Sequence, residues 1–421
     1  KYLHGTVTLP GNRLFPDLIR EEPSVNTGII TVVPAFNEPG ITNMLNSLAS
    51  CTPPSCGVEV IIVINAPPGA SREALAGNAL TRELAEKWKS ENRDSFFTLH
   101  LIDPGTITYE KWGVGMARKT GMDEALSRFT VTGRTDGVIL SLDADCTVEK
   151  NYFTQIEKEL LNEKNRKGCS IFFEHPLSGT EFPPEVYSAA AIYELHLRYF
   201  LQALKYTGYP WVHHTIGSCF AVKASAYRAS GGMNRRQAGE DFYFIQKLLP
   251  AGGYFNLNST TVYPSPRRSE RVPFGTGAVV SEITSAGQES FSTYNPEAFG
   301  DLKKFFALTA GSCDLSRNLA LKTYERFPDS VKEFLPLNKW TENADSIISN
   351  TSGPETFRKR FYNWFNTFMI IKYLNFVHRE GICRKLSPAG AAVKLLEMSG
   401  ISDHPDTVTG LVNFFRVMER G

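Results

Sequence analysis

The sequence has no excess of either charge. Its 421 residues carry 45 Lys plus Arg against 44 Asp plus Glu. This balance excludes a bulk electrostatic attraction to polyanions, so nucleic acid is not an expected partner. Any anion must be met by a local arrangement. Long apolar runs are also missing, and no uninterrupted stretch reaches the roughly 20 residues of a membrane span. Cysteine is sparse and unpatterned. Cys51, Cys56, Cys146, Cys169, Cys219, Cys313 and Cys383 make an odd total of 7, with no doubled zinc-ligand spacing and no disulfide framework. Free thiols fit a reducing compartment, and a cytoplasmic location is the expectation. The chain opens at Lys1 rather than Met, which is compatible with a leader removed upstream. Internal repeats and low-complexity tracts are absent.

What is present is an ordinary globular composition, 42% hydrophobic and 21% charged, long enough for one large domain or two to three modest ones. The first half alternates strand and helix signals. "GIITVVPAF" (28–36) is a β-branched run, followed by helical spacing in "ITNMLNSLAS". "VEVIIVINAPPG" (58–69) is a second strand closed by a Pro-Gly turn. A helix over 72–90, a strand over 96–103, a helix over 114–129 and a fourth strand, "GVILSLDAD" (137–145), follow. Strand–helix units with continuously apolar strands predict an α/β fold, a mostly parallel sheet covered by helices on both faces. Ligands of such sheets bind beyond the carboxyl ends of the strands. The "PAFNEPG" turn, Asp143 and Asp145 all lie at such ends.

The middle of the chain predicts a long aromatic-rich helix over 183–206 and a strand, short helix and glycine stop over 215–233. A helix over 239–255 carries Glu240 and Asp241 in its first turn, and a Pro- and Gly-broken loop covers 262–280. From about residue 290 the pattern becomes helical. The expected organisation is an N-terminal arm (1–27), a catalytic domain (28–290) and a helical C-terminal region (291–421).

Several clusters could carry chemistry. Asp143 and Asp145 flank a small residue at a strand end, where two carboxylates can converge on a hard divalent ion that neutralises a diphosphate. A turn in which Asp143 caps and Asp145 is solvated is the competing reading. Asp241, in "GED", could take a proton from an attacking hydroxyl. Equally, acids in a first turn complement the helix dipole. Arg267, Arg268 and Arg271, in "PSPRRSERVPFGTG", suit bidentate phosphate contacts or form a solvated basic loop. The glycines beside them permit a hinge for a lid. Arg118, in "ARK", points toward a phosphate or lies on a helix surface. Nothing at helical or hairpin spacing supports a metal-ligand role for His213 and His214.

Taken in order, "ITVVPAFNEPG", "VEVIIVINAPPG", "GVGMARKTGMDEA", "VILSLDADCTVEKNYF", "IGSCFAVKASAYRASGGM" and "GEDFYF" resemble family 2 glycosyltransferases over roughly residues 28 to 285. The resemblance implies a GT-A fold and inverting transfer of a sugar from a nucleotide diphosphate sugar to a hydroxyl acceptor. It implies Mg²⁺ or Mn²⁺ on Asp143 and Asp145, with Asp241 as base. Pro34, Ala35 and Glu38 would hold the nucleoside, and Arg118 would contact the diphosphate or nucleoside. The family often has an acidic pair at the second strand end, where an Asp reads uracil. Here Asn65 occupies that place, with a different donor and acceptor pattern, so both UDP- and GDP-sugars stay open as donors. The acceptor could be a saccharide, a lipid-linked sugar or a small metabolite. Two other readings stand beside this one: a nucleotidyltransferase, and a non-catalytic nucleotide- or sugar-binding module or scaffold.

The C-terminal stretch "FRKRFYNWFNTFMIIKYLNFVHRE" (357–380) is apolar nearly all round, as in a helix buried in a core. Its basic flank, Arg358 to Arg360, also allows peripheral contact with an anionic membrane.

Overall fold

The computed structural model describes residues 18–67, 69–103, 113–236, 239–269, 275–310 and 317–421. In chain order the elements are β1 (Thr27–Ala35), α1 (Ile41–Ala49), β2 (Gly57–Ile64), α2 (Arg72–Glu91), β3 (Phe97–Ile102), α3 (Val114–Val131), β4 (Val138–Ser141), β5 (Thr147–Val148), α4 (Tyr152–Ile156) and β6 (Gly168–Phe173). Then come α5 (Pro184–Thr207), β7 (Phe220–Lys223), α6 (Ala224–Ala229), α7 (Glu240–Leu248), β8 (Tyr254–Tyr263) and α8 (Thr276–Ala286). The remainder is helical: α9 (Pro296–Thr309), α10 (Arg317–Glu325), α11 (Asp329–Phe334), α12 (Leu337–Ser349), α13 (Pro354–Trp364), α14 (Thr367–Arg379), α15 (Pro388–Met398) and α16 (Val408–Arg420).

The described strands form one sheet in the order β3-β2-β1-β4-β7-β6-β8-β5. β3, β2, β1 and β4 run parallel, β7 runs antiparallel to both β4 and β6, and β6 is parallel to β8. This is the mostly parallel α/β sheet expected, with β7 reversed inside it and β5, antiparallel to β8, reversed at its edge. β1 is buried along its whole length, as a strand covered on both faces must be. By compactness the chain divides into one unit of Lys1–Pro176 with Thr215–Ser265 and another of Leu177–His214 with Pro266–Gly421. The division expected at residue 290 groups the residues differently. α5 goes with the C-terminal helices because its Leu195, Tyr199, Ala203 and Leu204 share a core with Phe299, Leu302, Phe306, Leu411 and Phe415.

In the sheet unit, α3 is the central helix. It is buried from Gly115 to Phe129 although it contains five charged side chains. A Cβ on Gly121 would stand 2.4 Å from Val32 Cγ1, so the missing side chain lets α3 lie directly on β1. Four of the charges are satisfied locally. Lys119 donates to Asp123 at 2.8 Å, and Asp123 also accepts from the Tyr227 hydroxyl at 2.7 Å. Arg128 donates to Glu59 and to the Glu21 carbonyl. Glu124 accepts the backbone N–H groups of Leu18 and Ile19, each at 3.1 Å. The described end of the expected arm is therefore tied to α3, while residues 1–17 lie outside the described residues.

Two local expectations are corrected. The stretch 357–380 is two helices, because the Asn366 side chain accepts from the N–H groups of Phe368 and Met369 and caps a new start. Phe357, Phe361, Tyr362, Phe365, Ile370 and Tyr373 join the helical core. The loop expected over 262–280 begins inside β8, which ends at Tyr263, and gives way to α8 from Thr276.

The second unit holds a buried ionic network. Glu194 and Arg198 on α5 are both 0% exposed, and Arg198 Nε donates to Glu194 at 2.8 Å. Arg416 on α16 reaches Glu194 through both Nε (2.7 Å) and Nη2 (2.9 Å). Glu419 accepts from Arg198 and faces His214 Nε2 at 3.2 Å. Removing one member of a buried, hydrogen-bonded set strands the others without water. Arg416→Ala is expected to lower unfolding stability by about 3–5 kcal/mol, read by denaturant unfolding against the parent.

Candidate active site

The acidic strand end takes its shape from the sheet. β4 stops at Ser141, and Leu142 N–H still donates to the Val32 carbonyl, which carries the chain straight out of the parallel half. The next residue, Asp143, accepts the N–H of Cys146 through its own carbonyl at 3.1 Å, a turn that sets Asp143 and Asp145 on a tight bend. Both side chains are partly buried. The carboxylates are thus presented at the carboxyl end of a central strand, where α/β sheets bind ligands.

Behind them lies Arg118 of α3, 3% exposed. Its Nε donates to Glu240 Oε1 at 2.8 Å. Its Nη1 lies within bonding distance of Ser141 Oγ (2.8 Å), Gly217 O (3.0 Å) and Asp143 Oδ1 (3.1 Å). Ser141 in turn donates to Gly217 O at 2.6 Å. Burial alone would lower the guanidinium's pKa, but the carboxylates of Asp143, Glu240 and Asp241 raise it above the ordinary arginine value. The ion is permanent.

Glu240 and Asp241 occupy the first turn of α7, behind Gly239 in the left-handed conformation (φ 71°). Glu240 is 2% exposed and faces Arg118. Asp241 Oδ1 accepts the N–H of Phe242 at 2.7 Å. A Cβ on Gly217 would stand 2.7 Å from Arg118 Nη2 and 2.9 Å from Asp241 Oδ2, so the guanidinium and the Asp241 carboxyl flank one bare backbone position. Burial first, and then the charge of Glu240, push the Asp241 carboxyl up from 3.8 to about 7, against the opposing pull of Arg118. Such a carboxyl can change its protonation near neutral pH.

The remaining sequence candidates divide into two sets. Pro34 and Ala35 lie in β1, with Ala35 1% exposed. Glu38 is buried in the turn that follows, where its N–H donates to Thr81 Oγ1 of α2 at 2.9 Å. Asn65, at the end of β2, is buried. Its Nδ2 donates to the Ala35 carbonyl at 3.4 Å, and its own carbonyl accepts from Asn78 at 2.8 Å. These residues knit the two strand ends to α2. In the second unit, Arg268 is exposed and pairs with Glu185 at 3.7 Å, and Arg267 is partly buried. Arg271 and the first half of the "VPFGTG" segment, 272–274, lie outside the described residues. His214 belongs to the ionic network of α5 and α16 rather than to the acidic bend.

Among the described residues no group of three or more His, Cys, Asp or Glu side chains gathers for a metal ion. Two partly buried carboxylates without a third protein ligand do not make a closed structural site. They do suit Mg²⁺ or Mn²⁺, hard ions commonly held by one or two carboxylates plus phosphate and water oxygens. Asp143 fits this role because its side chain is 38% exposed and Oδ1 alone makes the Arg118 bond.

Ser141 and Gly217 were not among the residues singled out from the sequence. Arg118, read there as a diphosphate contact or a surface helix charge, is buried, with Nε and Nη1 directed at protein acceptors. A hydroxyl inside an otherwise apolar strand, and a glycine beside a serine in "IGS", are the signals that were available.

The sequence matches no family profile and no curated protein sequence. Solved structures share its chain path more loosely. The Staphylococcus aureus TarS 1–349 complex with UDP-GlcNAc is 14% identical with a TM-score of 0.38, over 80% of this chain and 91% of that one. The mannosyltransferase PcManGT from Pyrobaculum calidifontis, with GDP-Man and Mn²⁺, is 12% identical at 0.37, over 97% and 92%. Glucosyl-3-phosphoglycerate synthase from Mycobacterium tuberculosis, with Mn²⁺, UDP and its product, is 14% identical at 0.32, over 55% and 70%. At such scores the reading of the site rests on its own residues.

Because Asp241 is held partly neutral by its surroundings, the fold is expected to resist its ionisation. A carboxyl raised from 3.8 to about 7 favours the folded state at low pH, and that advantage is lost as pH rises from about 4 through 7. Asp241→Asn is therefore expected to gain stability relative to the parent at pH 8 but not at pH 4, measured by unfolding midpoints at both values.

Proposed function

We propose that the protein is an inverting glycosyltransferase that moves a sugar from a nucleotide diphosphate sugar to a hydroxyl acceptor by single displacement. The observation that carries this reading is the pairing of two kinds of carboxylate around one arginine. Asp143 and Asp145 sit partly open at a strand end. Asp241 sits beside Gly217 with its pKa raised to about 7. The six sequence motifs stand in the order that resembles family 2 glycosyltransferases, and the mostly parallel sheet, with β7 and β5 reversed, is compatible with it.

In this reading Asp143 and Asp145 would hold Mg²⁺ or Mn²⁺, which when bound supplies positive charge to the departing diphosphate. Asp241, deprotonated, accepts the proton of the acceptor hydroxyl as its oxygen attacks the anomeric carbon. The bond from that carbon to the diphosphate oxygen breaks in the same step, so the configuration inverts. Glu240 keeps Arg118 from turning toward Asp241 alone, which leaves the base poised near neutrality rather than locked in an ion pair. The donor is a UDP- or GDP-sugar, and the acceptor a saccharide, a lipid-linked sugar or a small metabolite. A module that only bound nucleotide or sugar would have no use for a carboxyl tuned in this way.

The test is donor turnover with Mn²⁺ across UDP- and GDP-sugars and a panel of hydroxyl acceptors. The parent rate is expected to rise with pH through about 7, following Asp241. Asp241→Asn should lower it by at least about a hundredfold while nucleotide-sugar binding, followed by thermal shift, persists. Full turnover in that variant would remove Asp241 from the role of base. Binding without turnover across the whole panel would support the module instead.

A further inference from the structure

Arg118 Nη1 carries two hydrogens but stands within bonding distance of three acceptors: Ser141 Oγ at 2.8 Å, Gly217 O at 3.0 Å and Asp143 Oδ1 at 3.1 Å. The longest of the three goes to Asp143, which is also the most exposed of these groups, with 38% of its side chain open against 4% for Arg118. Ser141 is 0% exposed and Gly217 is buried, so those two acceptors stay with the arginine on the closed side of the bend. Nε is separately fixed by Glu240.

We propose that Arg118 is a stand-in cation for the acidic bend, a positioning residue that holds Asp143 until a divalent ion takes it and then lets go without moving. The inference rests on Asp143 and Asp145 being the metal ligands of the proposed transferase. Bringing two carboxylates together on a bend costs electrostatic energy when no cation is present. Arg118 supplies that cation from the buried side. When the ion arrives from the open side and engages Asp143, both Nη1 hydrogens still have an acceptor, Ser141 and Gly217. No buried donor is left bare, so release of Asp143 carries no desolvation penalty. Ser141 is the residue that makes the exchange possible. Without its hydroxyl, Nη1 has two acceptors for two hydrogens, and giving up Asp143 leaves one hydrogen unpaired where little water reaches.

This gives a prediction that charge alone does not make. Mn²⁺ uptake by the full-length protein is measured without nucleotide, by the loss of the free-ion electron paramagnetic resonance signal. Ser141→Ala, which changes no charge, is expected to bind Mn²⁺ about tenfold more weakly than the parent, the order of effect when a buried donor loses its acceptor. Arg118→Gln combined with Glu240→Gln removes the stand-in and its anchor together, and is expected to bind Mn²⁺ more tightly. Parent-like affinity in Ser141→Ala overturns the proposal, even if the double variant binds more tightly, because simple repulsion would then account for everything. If the double variant does not fold, as judged by circular dichroism, the Ser141→Ala arm decides alone. A parent that takes up no Mn²⁺, or whose uptake is unchanged in Asp143→Asn, instead overturns the assignment of the metal to this bend and takes the stand-in role with it.

Discussion

Placing Arg118 beneath the sheet's acidic end removes a guanidinium from water, a step that only close partners make tolerable. Those partners come from four separate parts of the sheet unit: the end of β4, the bend that follows it, the backbone before β7 and the first turn of α7. The arginine itself rides on α3. Each element is held in register by its share of the same cation, so a shift of any one would leave a buried charge or donor exposed to an apolar interior. The carboxyl of Asp241 is raised first by burial and then by the charge of Glu240. The arginine's pull on Asp241 is diluted by Glu240 and Asp143, and the carboxyl stays near neutrality instead of falling to the bottom of its range.

The position of Arg118 depends in turn on how closely α3 can lie on the sheet. Gly121 removes the side chain that would strike Val32, and Gly217 removes the one that would strike both Arg118 and Asp241. A helix whose polar residues are almost all buried is stable here because each has a fixed partner. Lys119 has Asp123, Arg128 has Glu59, and Glu124 has the backbone of the N-terminal segment.

Much of this organisation was legible in the residues. The parallel strands were readable because they are β-branched and continuously apolar, and α2 and α3 because their bounds match their periodicity within a few residues. β6 and β8 were not distinguished. "GCSIFF" is too short an apolar run to tell a strand from a buried helix turn, and β8 begins in a segment that was read as the end of one continuing helix. The bend at Asp143 and Asp145 stood out because two acids end an apolar run. The partners of Arg118 did not, since a backbone carbonyl leaves no mark in a sequence and a lone serine in a strand reads as a weak strand former. The helical region was recognised as helical, yet the Asn366 cap was hidden inside a run whose apolar spacing continues across it. The packing of α5 on the later helices left no local signal, because those partners lie far along the chain.

That last separation has a consequence for how the chain is made. Glu194 and Arg416 are 222 positions apart, and protein synthesis delivers residues in order. While α16 is still unmade, α5 already carries two side chains destined for a dry interior, and Glu194 and Arg198, one turn apart, can pair with each other at 2.8 Å. The core around α5 is completed only by Leu411, Val412 and Phe415 of α16, which share it with Leu195, Tyr199 and Ala203. Arg416 then brings a second cation to Glu194, from a part of the chain that synthesis supplies 222 positions later.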